Sequence, residues 1–123
     1  MMDIGTEPLA KPFDQPEEVR IFDKGRLEIL NVAGGTVGRA TFEPGWRWST
    51  SVKQIAGTEL CEAAHEGYVV SGRMHLVFRD GRTLDCATGD LMVCPPGHDA
   101  WVVGDEPCVI IDWAGFHDYA KKK

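Results

Sequence analysis

From Val19 onward the chain alternates apolar and polar residues in short runs. "VRIFD", "RLEILNV" and "TVGRATFEP" come first, and "WRWSTSV" follows Pro44-Gly45. Then come "ELCEAAHEGYVVSG", "RMHLVFR", "RTLDC", "LMVC", "AWVVGD" and "CVIIDWAG". Met74, Leu76 and Phe78 alternate with His75, Val77 and Arg79, the mark of a strand with two unlike faces. Asp80-Gly81 between two such runs predicts a tight hairpin. "ATGD" and "PPGHD" predict further turns, and Gly34-Gly35 reads as a turn between strands. Pro107 sits just ahead of the last strand, where its missing N–H does least harm. No long stretch carries a helical period. The pattern predicts an all-β chain, a sandwich or barrel of many short strands. Pro8, Pro12 and Pro16 make residues 1–19 an extended N-terminal arm. Residues 20–116 are then the β-barrel domain, and 117–123 a basic C-terminal tail ending in three lysines.

Composition narrows the function classes. A chain of 123 residues is one domain and can bury a core without staples. A net charge of −6 disfavours nucleic-acid binding. No apolar run approaches the roughly 20 residues of a membrane span, and the N-terminus does not read as a secretory signal. The expected location is cytoplasmic. Cys61, Cys86, Cys94 and Cys108 show no paired spacing, so free thiols are expected. Cys86, Cys94 and Cys108 read as small core hydrophobes.

Two segments carry a resemblance. Gly72 lies seven residues after His65, and "GDLMVCPPG" sets five residues between Gly89 and Pro95-Pro96-Gly97. Together they resemble the two sequence motifs of the cupins, over residues 40 to 114. The resemblance implies a double-stranded β-helix, a jelly-roll barrel with its site inside. The family's first motif reads His-x-His, then Glu, then Gly. Here Glu59 and Cys61 stand at the two His positions, and His65 stands at the Glu position. The second motif ends on a His, where this chain has Ala100, with His98 two residues earlier. Three of the four family positions keep a side chain able to bind metal, although none keeps its usual residue.

The residues allow two readings of that set. Alternation along a strand would put Glu59, Cys61 and His65 on one face, with His98 reaching in from a facing strand. Carboxylate, thiolate and two imidazoles suit zinc or iron(II) better than magnesium or calcium. Equally, Cys and His can simply fill inward barrel positions. The aromatic residues pose a second choice. Trp46 and Trp48 share a face if their segment is a strand, and Trp48, Tyr68, Arg73 and Trp101 could line a small-molecule pocket. They could instead be core, or a dimer patch. His75, His117 and Trp113 carry no predicted role. A metal-dependent enzyme acting on a small molecule is one expected function, and a non-catalytic ligand-binding or sensing barrel is the alternative. A metal-free enzyme with His65 as acid–base ranks behind both, since no partner stands at convincing spacing. A homodimer is expected from the resemblance, with the arm packing on the partner.

Overall fold

The computed structural model describes residues 5–121. Nine strands run in chain order: β1 (Glu18–Phe22), β2 (Gly25–Val32), β3 (Gly35–Phe42), β4 (His65–Ser71), β5 (Arg73–Phe78), β6 (Thr83–Ala87), β7 (Leu91–Cys94), β8 (His98–Val102) and β9 (Cys108–Asp112). Two short helices, α1 (Trp48–Ser51) and α2 (Lys53–Ala56), stand between β3 and β4. A six-stranded sheet has the order β1-β2-β3-β9-β4-β7, and a three-stranded sheet the order β6-β5-β8. All pairings are antiparallel.

Alternation sets which side chains meet in the middle. On β5, Met74 and Leu76 are buried while His75 and Val77 face outward. On β9, Cys108, Ile110 and Asp112 are buried between half-exposed Val109 and Ile111. The inner faces supply one continuous core that includes Leu27, Ile29, Phe42, Val69, Leu76 and Ile110. Burying each such side chain contributes about 1.5–3 kcal/mol. The chain passes from the large sheet to the small one at Gly72, which has φ +82°. A Cβ there would collide with the Pro107 carbonyl, so this corner requires glycine.

Of the predicted strand "WRWSTSV" only Arg47 pairs, in an isolated bridge to Trp101, and the chain is helical over Trp48–Ser51. The reason is tertiary. Asp99, on β8, accepts hydrogen bonds from the Ser49 N–H at 3.0 Å and the Ser49 hydroxyl at 2.8 Å. Those bonds satisfy groups a strand would have paired laterally. Trp46 and Trp48 are both buried all the same. The opening of "ELCEAAHEGYVVSG" also departs from expectation. Regular strand begins only at His65, and Cys61 makes an isolated bridge to His98.

The described segments on either side of the strands pack on the barrel. In the arm, Phe13 lies under the Arg39 guanidinium and Asp14 pairs with it at 3.0 Å, so the arm contacts β3 of its own barrel. At the other end, within the segment expected to be a tail, Tyr119 and Ala120 are buried and His117 is exposed. Arg20 on β1 holds this segment by donating to the carbonyls of Phe116, His117 and Tyr119 at 3.1, 2.7 and 2.7 Å. The lysine cluster expected at the end lies largely outside the described residues, which stop at Lys121.

Candidate metal centre

Cys61, His65 and His98 converge inside the barrel. One ligand atom from each lies within 4.8 Å of the other two, and all three residues are buried. Two strands and one bridged residue between elements position them. His65 opens β4 and His98 opens β8. Cys61 is tied to β8 by backbone bonds, its N–H to the His98 carbonyl at 2.8 Å and its carbonyl to the Gly97 N–H at 2.7 Å.

The ring orientations follow from the hydrogen bonds. The His65 Nδ1 donates to Asp112 Oδ2 at 2.6 Å, and its Nε2 faces the Cys61 sulfur at 3.7 Å. The His98 Nδ1 donates to the Pro95 carbonyl at 2.8 Å, which leaves Nε2 as the ring nitrogen available to the cluster. Asp112 is fully buried, and its other oxygen accepts from the Ala114 and Gly115 N–H groups at 2.7 and 2.9 Å. Gly115 must be glycine here, since a Cβ would collide with the His65 ring and the Ala64 carbonyl. Phe116 and Tyr119 then close on His65 edge-on, with ring centroids 5.5 and 5.7 Å away.

The site polarises its own ligands. Burial works to raise the Cys61 thiol, but hydrogen bonds and charge from His65 and His98 outweigh it and bring the thiol down to about 6. Burial likewise works to lower His65, while Asp112 and the Cys61 sulfur raise it to about 9. Without metal the pair is thiolate and imidazolium near neutral pH.

These donors fit a divalent transition metal. Zinc bonds of about 2.3 Å to sulfur and 2.0–2.1 Å to nitrogen at a tetrahedral angle put the two ligand atoms about 3.6 Å apart. The 3.7 Å between Cys61 Sγ and His65 Nε2 matches that span. Asp112 behind His65 is the carboxylate–histidine support that metal sites use to fix ring orientation. Three protein ligands leave one coordination position open.

The remaining predicted site residues fall elsewhere. Glu59 lies outside the cluster, its side chain 90 % exposed and paired with Lys53 at 2.8 Å. It sits beyond the end of the strand on which its alternation was counted. Of the four pocket residues, Trp48 alone lines the interior cavity. Tyr68 is 45 % exposed on the outer face of β4, and Arg73 is exposed on β5. Trp101 faces outward against the Arg47 guanidinium at 4.2 Å and the His75 ring at 4.9 Å. The structure therefore does not bring these four together. Sequence reasoning missed Asp112 and Tyr119. A signal for Asp112 was present: it is an acid at a core-facing position of an apolar strand. Nothing local marked Tyr119.

Two spaces adjoin the cluster. The interior cavity, of about 30 Å³, is lined by Trp46, Trp48, His65, Met92, His98 and Tyr119 among others. A cleft of about 420 Å³ lies outside it, bordered by Cys61, Ala63, Ala114, Gly115 and Lys121. Trp48 and Tyr119 border both.

Residues 57–114 match the family model for the cupin domain. Solved structures agree on the fold. One is a protein of unknown function from Acidithiobacillus ferrooxidans, 19 % identical with a TM-score of 0.58, the match covering 85 % of this chain and 99 % of that one. A second is a sugar phosphate isomerase from the cupin superfamily of Silicibacter pomeroyi, 22 % identical with a TM-score of 0.58, covering 85 % and 73 %. A third is an oxalate decarboxylase from Bacillus subtilis, 24 % identical with a TM-score of 0.60, covering 84 % of this chain but 29 % of that one. Another structure of that decarboxylase is described by its Mn(II) centres. No curated protein matches. The chain is thus similar to the cupins in sequence and carries their jelly-roll fold, as its two motifs implied. No helix among the described residues is long and apolar enough to cross a membrane.

Proposed function

We propose that Cys61, His65 and His98 hold one divalent transition metal, zinc or iron, at the centre of a barrel that acts on a small molecule. The observation that carries this reading is the convergence of the three donors, with both histidines committed through Nδ1 and turning Nε2 toward the Cys61 sulfur or the shared centre. When bound, such an ion acts as a Lewis acid toward a ligand in its open position. The residues supply the rest. Asp112 fixes the His65 tautomer, Cys61 contributes a ready thiolate, and the Phe116 and Tyr119 rings pack edge-on against His65. Several neighbours are enzymes, one of them described by its Mn(II) centres. A thiolate ligand favours zinc or iron over manganese in this chain.

The test is elemental analysis of protein purified without a His-tag, beside His65→Ala and His98→Ala variants. About one equivalent of zinc or iron per chain, lost in both variants, supports the reading. Metal absent from the native protein, with no rise in melting temperature on adding Zn²⁺, Fe²⁺, Ni²⁺ or Mn²⁺, contradicts it.

The small interior cavity favours a second reading, a metal-free barrel that binds or senses a small ligand without catalysis. A thermal-shift screen of metal-free protein against small acids and aromatic metabolites tests it. For the homodimer, the outer face of β4 and β7 offers exposed Tyr68, Val70, Leu91 and Val93 side by side. Light scattering on Leu91→Asp and the native protein tests that face. Four free cysteines accord with a reducing, cytoplasmic setting.

A further inference from the structure

The interior cavity has polar groups that nothing in the protein uses. Trp46 lines it, and its buried Nε1–H has no acceptor among the described residues. A buried donor left without a partner is a free-energy cost that an arriving acceptor removes. Tyr119 borders both this cavity and the open cleft, and its hydroxyl, which unlike the Trp46 N–H is not wholly buried, makes no hydrogen bond among the described residues. His65 and His98 form another part of the wall, and most of the remainder is apolar, including Met74, Leu76 and Ile110. Donors set in an apolar wall are the make-up of a small-molecule site.

Size restricts what fits. About 30 Å³ is more than the about 10–15 Å³ that one water needs. It is far below the roughly 300–1,000 Å³ of a pocket for drug-sized ligands. Access is short, because Trp48 and Tyr119 border both the cavity and the open cleft.

We infer that this cavity binds one small ligand through an oxygen acceptor, a carboxylate or carbonyl of one or two carbons, with Trp46 Nε1–H as its principal donor and the Tyr119 hydroxyl as a second. The inference rests on the metal reading for one of its anchors, the open coordination position, and on these two donors for the others. Trp46 is then a specificity-determining residue, since it rewards an acceptor and leaves an apolar ligand of the same size with the indole still unpaired.

Formate is the probe. The zinc-treated protein, labelled with ¹⁵N, should show an indole N–H resonance for each of its four tryptophans. Formate should shift one of them saturably. That resonance should be absent from Trp46→Phe, and Tyr119→Phe should weaken formate binding about fivefold, as loss of one hydrogen bond does. Benzoate, too large for the cavity, should leave the resonance in place. Zinc bound at one per chain with no indole responding to excess formate means that water alone serves the donor, and overturns the inference while the metal reading stands. A formate shift of the Trp46 indole in protein that takes up no zinc supports the ligand site and overturns the metal reading. An equal shift with benzoate places the effect outside the cavity and overturns the inference. If Trp46→Phe does not fold, the Tyr119→Phe titration decides: unchanged formate affinity there overturns the two-donor site.

Discussion

Cys61 and Cys94 are both buried, yet their thiols are driven in opposite directions. Burial pushes Cys94 up to about 12, and nothing polar answers it. Burial pushes Cys61 up too, but His65 and His98 bring it down to about 6. Cys86 and Cys108 follow Cys94, at about 11 and about 12. The barrel wall thus contains two regions built from the same residue type. One is core, where a thiol packs as a small hydrophobe. The other is a charged cluster, where the same thiol stands against two imidazoles and is a candidate ligand. Neighbours decide between them, not depth.

The largest expected effect is on reactivity. At pH 7 a thiol of about 6 is mostly thiolate, whereas one of 11 or 12 is thiolate in at most about one part in ten thousand. Cys61 also borders the cleft. In metal-free protein, a small alkylating reagent should label Cys61 at least about a thousandfold faster than the other three. Peptide mapping by mass spectrometry reads this directly, and equal labelling would erase the distinction between the two regions.

Removing the neighbour should come next. His65→Ala should cost more than about 100-fold in zinc affinity, since support residues behind a ligand alone cost about 10–100-fold. It should also slow Cys61 alkylation toward the rate of the core thiols. Asp112→Asn belongs in that 10–100-fold range. An Asn amide would donate to His65 Nδ1 and drive the ring proton onto Nε2, the atom facing Cys61. Chelator competition measures both.

A pH titration sharpens the comparison further. Above about 6, Cys61 is already deprotonated, and below about 9 His65 still holds a proton. A metal that takes both atoms must therefore displace the His65 proton in that window. Zinc affinity should rise about tenfold per pH unit from about 6 to about 9, with about one proton released, and level off above. The sign matches a base whose affinity for protons is raised by folding: the proton opposes metal until pH passes the folded value. At the small end, Glu59→Gln should leave zinc affinity unchanged, because Glu59 pairs with Lys53 in solvent.

The fold was legible where side chains obey local alternation. Met74 and Leu76 share one face of β5 and His75 and Val77 the other, as their spacing required, and the glycine and proline turns fell where the motifs implied. His65, Cys61 and His98 were legible as a set, although strand alternation was the wrong reason for part of it. Only His65 and His98 stand in regular strands, while Cys61 is placed by a single bridge. Glu59 drops out at that break. The segment at Trp48 was misread because the acid that starts its helix, Asp99, lies 50 residues away. Tyr119 was invisible for the same kind of reason, since its position depends on Arg20, 99 residues back. Contacts of that range leave no period in the sequence.

The central claim is that one thiolate and two imidazoles share an ion. X-ray absorption at the zinc edge, on untagged zinc-loaded protein, tests it most directly. One sulfur at about 2.3 Å with two or more nitrogen or oxygen neighbours at about 2.0–2.1 Å is the expected result. Zinc coordinated without sulfur would contradict it.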